Sequence, residues 1–171
     1  MKRLTLLRHA KSSWDEPDTD DFDRPLNDRG WKAARRMGEE LKHRNVTFDV
    51  AVASTAARVR ETLDGLSESY GDFKFPVHFD QRLYLASSNE LLEIIRALPT
   101  NAESALLVGH NPGLERLAAM LTVDDDDLRD KVEEGLPTAA LVEIDLPVSQ
   151  WIEVGPGAGK IVELILPREL D

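Results

Sequence analysis

Residues 104–121 read SALLVGHNPGLERLAAML. Ala105 to Val108 form an unbroken apolar run, the pattern of a strand buried on both faces. Gly109 to Gly113 then gather glycine, asparagine and proline into a tight turn. Leu114, Leu117, Ala118 and Leu121 recur at helical spacing, so a helix follows. A buried strand feeding a turn and an amphipathic helix predicts an α/β fold whose sheet is largely parallel.

The same alternation appears on either side. Leu4 to Leu7 read as a buried strand, and the stretch 15–26 (DEPDTDDFDRPL) reads as a polar loop rich in aspartate and proline. From Asn27 onward, Trp31, Ala34, Gly38 and Leu41 mark a helix over 28–43, with Asn27 or Asp28 available as its cap. FDVAVAS (48–54) is a second short apolar run, and Val59, Leu63, Leu66 and Tyr70 form the inner stripe of a second helix. FKFPVHF (73–79) is a weaker strand whose Pro76 suits an edge position. Leu91, Leu92, Ile95 and Leu98 mark another helix. AALVEIDL and KIVELILP, with GPGAG ahead of the second, read as a closing antiparallel pair, so a mixed sheet is expected.

Composition narrows the function. With 171 residues and 42% apolar side chains, the chain predicts one domain over 1–171 with one sizeable core. There are 21 basic against 32 acidic residues, a net charge of −11, which argues against broad attraction to nucleic acid or an anionic membrane. Phosphate chemistry must therefore use a local positive pocket. The absence of cysteine excludes disulfides, thiolate metal sites and thiol nucleophiles. MKRLTLLRHA has too short an apolar run for a secretory segment, and no stretch reaches membrane-spanning length, so a cytoplasmic protein is expected. The Asp124–Asp127 run reads as a solvated loop. It lacks the alternating spacing and turn glycine of a cation-binding loop.

Chemistry gathers where strands end. LTLL delivers Arg8 and His9, VAVAS leads shortly to Arg58, and LLVG delivers His110. In an open α/β sheet the carboxyl ends of parallel strands share one edge, and ligands bind in the crevice beside it. Two arginines and two histidines distant in sequence can thus meet in one pocket. Arginine offers phosphoryl oxygens a planar fork of donors, while neutral histidine can attack phosphorus or donate a proton. Singly, each has a plainer reading as a surface ion pair or a hydrogen-bonded structural residue; their coincidence at three strand ends favours the pocket.

These segments resemble the histidine phosphatase superfamily, which includes phosphoglycerate mutases and acid phosphatases. LLRHA resembles its Arg-His-Gly signature, STAARVRET its Ser-Pro-x-x-Arg-Ala-x-x-Thr segment, and VGHNPG the second-histidine segment of the SixA-type phosphohistidine phosphatases. DRPLNDRG (23–30) is also typical of that branch, and the resemblance spans roughly residues 3–145. It implies a phosphoglycerate mutase-like three-layer fold with helices flanking a mostly parallel sheet and an antiparallel C-terminal strand. It further implies that His9 is a transiently phosphorylated nucleophile, with Arg8, Arg58 and His110 clamping the phosphoryl oxygens. Ser12 matches a serine that follows the signature in many members and can add a hydroxyl donor. Lys11 and Asn111 are further candidates for substrate binding, Lys11 by steering an anion.

Two arginines beside His9 favour its neutral form, and only an unprotonated imidazole nitrogen can attack phosphorus. The same arginines stabilise charge during in-line transfer, so neither a metal nor a nucleotide cofactor is required. Ala10 stands where the superfamily has glycine and Thr55 where it has proline, small changes that bear on backbone preference. The glutamate that many members use as general acid has no clear counterpart. Asp80 and Glu90, in FDQRLYLASSNELLE, are the candidates; as plain structure, Asp80 would begin a turn and Glu90 would occupy a first helical turn. The expected activity is metal-independent phosphatase action through a phosphohistidine intermediate, on a substrate such as a histidine-phosphorylated protein domain, with no nucleic-acid or membrane partner. The alternatives are a small-molecule phosphomonoesterase, a mutase and a non-catalytic phosphate-binding module. Little chain is left for the insertions that enclose a mutase's sugar phosphate, and a nucleophilic histidine is superfluous in a module that only binds.

Overall fold

The computed structural model describes residues 1–123 and 127–170. Strands β1 (Lys2–Arg8), β2 (Val50–Ala53), β3 (Val77–Phe79), β4 (Ser104–Gly109), β5 (Leu141–Leu146) and β6 (Lys160–Ile165) form one sheet in the order β3-β2-β4-β1-β5-β6. The pairs β1·β4, β2·β4 and β2·β3 are parallel, whereas β5 is antiparallel to both β1 and β6. This is the mixed sheet expected, with the Pro76-flanked strand β3 at its edge.

Side chains alternate across the central strands, and each face acquires its own helical layer. Leu7, Ala51, Ala53, Leu106 and Val108 pack against Met37, Leu41, Leu63 and Leu66 of α1 (Asp28–His43) and α2 (Ala57–Tyr70). Leu4, Leu6, Val50, Val52 and Leu107 meet Leu91, Ile95, Leu114 and Leu117 of α3 (Ser88–Arg96) and α4 (Gly113–Leu121) on the other face. Leu4, Leu6 and Leu107 are fully or almost fully buried, each such side chain contributing about 2 kcal/mol of transfer free energy. Asn27 caps α1 as expected, its Oδ1 accepting the Gly30 N–H at 2.8 Å.

The acidic stretch departs from the expectation of a loop. Asp127 opens a short helix, α5 (Asp127–Glu134), which seats the buried Val132 in the second layer; Asp124 to Asp126 lie outside the described residues. No helix among the described residues is long and apolar enough to cross a membrane.

This topology creates the crevice. β1 and β4 are hydrogen-bonded neighbours, yet the chain leaves β1 for the α1/α2 face and leaves β4 for the α3/α4 face. The connections that leave their carboxyl ends therefore diverge to opposite faces, a switch point in the sheet where a ligand can enter.

Candidate active site

Arg8 ends β1 opposite Gly109 of β4, and the His9 N–H donates to the Gly109 carbonyl at 3.1 Å. His9 and His110 thus leave adjacent strands at one level, with ring centroids 5.2 Å apart. The Ser54 N–H donates to Val108 O at 3.1 Å, which brings the end of β2 to the same edge; Ser54 Oγ lies 2.8 Å from His110 Nε2. Arg58 stands in the first turn of α2 and is buried. Arg8, His9, Arg58 and His110, far apart in sequence, come together.

Local hydrogen bonds hold this edge. Thr62, from the segment around Arg58, accepts the Ala10 N–H at 2.9 Å and donates to Arg58 O at 2.6 Å, tying the His9–Ala10 turn to α2. Arg8 Nη1 donates to Leu136 O at 2.8 Å. Asn111 Nδ2 donates to that same carbonyl at 2.8 Å and to Glu115 Oε1 at 2.7 Å. The amide nitrogen of Asn111 thus holds the Leu136 turn beneath Arg8, while its Oδ1 is buried without a hydrogen-bond partner. Ser12 Oγ accepts from Arg24 Nη1 at 2.7 Å, and Lys11 is exposed at the loop surface, where its carbonyl accepts the Asn27 N–H at 3.0 Å.

The protonation states follow from the surroundings. His9 Nδ1 lies 2.7 Å from Ala10 O; since a carbonyl can only accept, Nδ1 carries the hydrogen and Nε2 keeps its lone pair. Burial, foremost, and then Arg58, Arg8 and Arg24 lower its pKa to about 4 against the favourable Ala10 bond, so the ring is neutral at pH 7. Burial followed by Arg58 and His9 holds His110 lower still, at about 3. Three buried nitrogens in this cluster, Arg8 Nε, Arg58 Nε and His110 Nδ1, have no hydrogen-bond partner.

Sequence reasoning overlooked a second ring of residues. Asp21 accepts from Arg58 through its carbonyl at 2.7 Å and its Oδ2 at 3.1 Å, and from Arg24 Nη2 through Oδ1 at 3.0 Å. Tyr84 donates its hydroxyl to Asp21 Oδ2 and packs edge-on against His110 at 5.3 Å. That hydrogen bond, followed by Arg24 and Arg58, draws the Asp21 carboxyl down to about 2 despite partial burial. Arg24 is buried beneath the exposed Trp14, its guanidinium 3.5 Å from the ring centroid. DRPLNDRG carried a signal for Arg24; nothing local distinguished Asp21 from its acidic neighbours.

Neither carboxylate considered as general acid is placed as one. Asp80 caps the 81–83 turn and binds Arg82 Nη2 at 2.7 Å, a hydrogen bond that keeps it ionised. Glu90 completes a capping box with Ser87, whose N–H lowers its pKa in turn. Among the described residues no group of three or more histidine, aspartate or glutamate side chains could hold a metal ion. A cleft of about 380 Å³ between α5 and β6, lined by Leu128, Lys131, Leu164 and Arg168, contains no histidine.

Comparison with known proteins gives this site a lineage. The model of the histidine phosphatase superfamily, branch 1, matches residues 4–84. An uncharacterized protein of Mycobacterium tuberculosis is 31% identical over 166 residues, covering 95% of this chain and 100% of that protein. Among solved structures, a protein of Agrobacterium tumefaciens designated phosphohistidine phosphatase SixA is 31% identical, with TM-score 0.80 over 97% of this chain and 98% of that one. A Nakamurella protein with the same designation is 25% identical, with TM-score 0.85 over 97% and 96% of the two chains. The chain belongs to the histidine phosphatase superfamily, in its SixA-type branch, and is a phosphatase with the phosphoglycerate mutase-like fold.

Proposed function

We propose that residues 1–171 form one histidine phosphatase domain that removes phosphate from phosphohistidine on a protein in the cytoplasm, through a phosphohistidine intermediate at His9. The observation that carries this reading is the set of buried, unpartnered nitrogens on Arg8, Arg58 and His110 beside the bare Nε2 of His9. An unsatisfied buried donor costs about 1–3 kcal/mol, and a phosphoryl group offers the oxygens that satisfy such donors.

In the first half-reaction His9 Nε2 bonds to phosphorus as the bond to the leaving nitrogen breaks, while the arginines stabilise the equatorial oxygens. A Ser54 hydroxyl donating to His110 Nε2 leaves Nδ1–H to join them. Phosphorylated His9 still donates Nδ1–H to Ala10 O, which favours the cationic, labile form of the adduct. Water then displaces His9. The SixA designation of the Agrobacterium and Nakamurella proteins supports a phosphohistidine substrate, as does the engagement of Asp80 with Arg82 and of Glu90 with Ser87, which leaves neither placed to protonate an alkoxide.

The test uses the intact protein and a phosphotransfer domain labelled on histidine. Phosphate should be released, and alkaline quenching should retain on His9 a label that acid removes. An acid-stable adduct, or one that persists in His9→Ala, overturns the intermediate. Equal turnover of serine or sugar phosphates would replace this reading with a small-molecule phosphatase.

A further inference from the structure

The 79–93 segment, where a carboxylic acid was sought, sends a different group to the site. Asp80 and Glu90 turn to Arg82 and Ser87, whereas Tyr84, between them, reaches the phosphate clamp. Its ring contacts His110 edge-on, with centroids 5.3 Å apart, and the Arg58 guanidinium lies 5.8 Å from its centroid. Its hydroxyl meets Asp21 Oδ2, which also accepts from Arg58 Nη2 at 3.1 Å. One carboxylate oxygen thus separates the phenol from the clamp.

The placement is built rather than incidental. Phe22 packs against Tyr84 at 90° with centroids 5.0 Å apart, and the neighbouring Leu83 is buried. The loop beyond Tyr84 is pinned by Gly113 at the start of α4: a Cβ there would lie 2.3 Å from Ala86 O, so only glycine allows the approach.

We propose that Tyr84 is the proton donor to the leaving group, held in place for that role by Asp21. The inference rests on the phosphohistidine-intermediate reading above. With an ester substrate, His9 Nε2 bonds to phosphorus, the P–O bond breaks, and its electron pair goes to the leaving oxygen. That oxygen takes the proton from Tyr84 Oη once the hydroxyl rotates away from Asp21, leaving a phenolate beside the Asp21 carboxylate, with Arg58 and Arg24 offsetting the paired negative charge. In the second half-reaction water bonds to phosphorus, the P–N bond returns its electron pair to His9, and the water's proton restores Tyr84. Burial and the Asp21 hydrogen bond raise the phenol's pKa, so it keeps its proton at neutral pH. A phenol is a weaker acid than a carboxylic acid, and the help it gives grows as the leaving group becomes poorer.

Tyr84→Phe separates this role from a structural one, since it keeps the ring that packs on His110 and Phe22. The intact variant's kcat/KM on 2,4-dinitrophenyl phosphate, which reports only the first half-reaction, sets the reference loss, because that leaving group needs no proton. Its kcat/KM should fall at least about tenfold further on an alkyl phosphate, whose alkoxide is a stronger base than a phenolate, and the dependence of rate on leaving-group pKa should steepen. An equal loss on both substrates makes Tyr84 a packing residue and overturns the proposal, as does no loss on either. If the parent forms no label on His9, the functional reading itself has failed; a label on His9 with an unchanged leaving-group dependence refutes only the role of Tyr84.

Discussion

Lowering the pH from 7 to 5 tests the protonation state of His9 without any substrate. His9 is 7% exposed, and burial with Arg58, Arg8 and Arg24 nearby holds it at about 4, whereas in the unfolded chain it titrates near 6.5. Between those values the unfolded chain binds the proton and the folded protein does not, so stability falls as the pH falls. The gap between 6.5 and about 4 amounts to about 3 kcal/mol at most, of which about 2 kcal/mol is lost between pH 7 and 5. His110, held at about 3, adds a loss of the same sign. The assay is urea unfolding of the parent and His9→Gln at both pH values in phosphate-free buffer, where contributions from the carboxylates cancel in the comparison. The parent should lose about 2 kcal/mol more than the variant. Parallel losses would mean that folded His9 is solvated or already charged, and so is not held neutral for attack by its surroundings.

Two further outcomes follow from the geometry. Replacing Arg8 or Arg58 with alanine should lower kcat on an aryl phosphate about a hundredfold or more, and Arg58→Lys should also be impaired because lysine lacks the fork; a fully active lysine variant would place Arg58 outside the reacting centre. Asp80→Asn and Glu90→Gln should keep kcat/KM within about twofold on alkyl and aryl phosphates alike, and a selective loss on alkyl phosphates in either would reveal a carboxylic acid at work.

Where periodicity was strong, the fold could be read from the sequence. The apolar runs at 4–7, 48–54 and 105–108 became β1, β2 and β4, and the helix expected over 28–43 is α1. The helix α5 escaped because an amphipathic pattern with a single buried side chain, Val132, is drowned by the charges around it. Arg8, His9, Arg58 and His110 were legible because each sits at a strand's carboxyl end or in the first helical turn that follows one, where topology alone brings them together. Asp21 was not. It lies among near-identical acidic residues, and Arg58 and Tyr84, remote in the chain, select it. Tyr84 was hidden by a search for carboxylates, and the bonds spent by Asn111 become visible only once Leu136 and Glu115 have been brought beside it.

The pairing of Arg8 with Gly109 bears on how such a protein can diversify. His9 and His110 each follow directly on the last rung of a hydrogen-bonded ladder, and a ladder does not change its spacing when a loop is lengthened or replaced. Asp21, Arg24 and Tyr84 belong to connections, the parts of a chain that accept insertion and exchange. Under the proposed roles, the strand ends set the geometry of attack and the connections set the choice of leaving group. An engineer seeking a new substrate should rebuild the stretches 11–27 and 80–87 and leave the strand ends untouched.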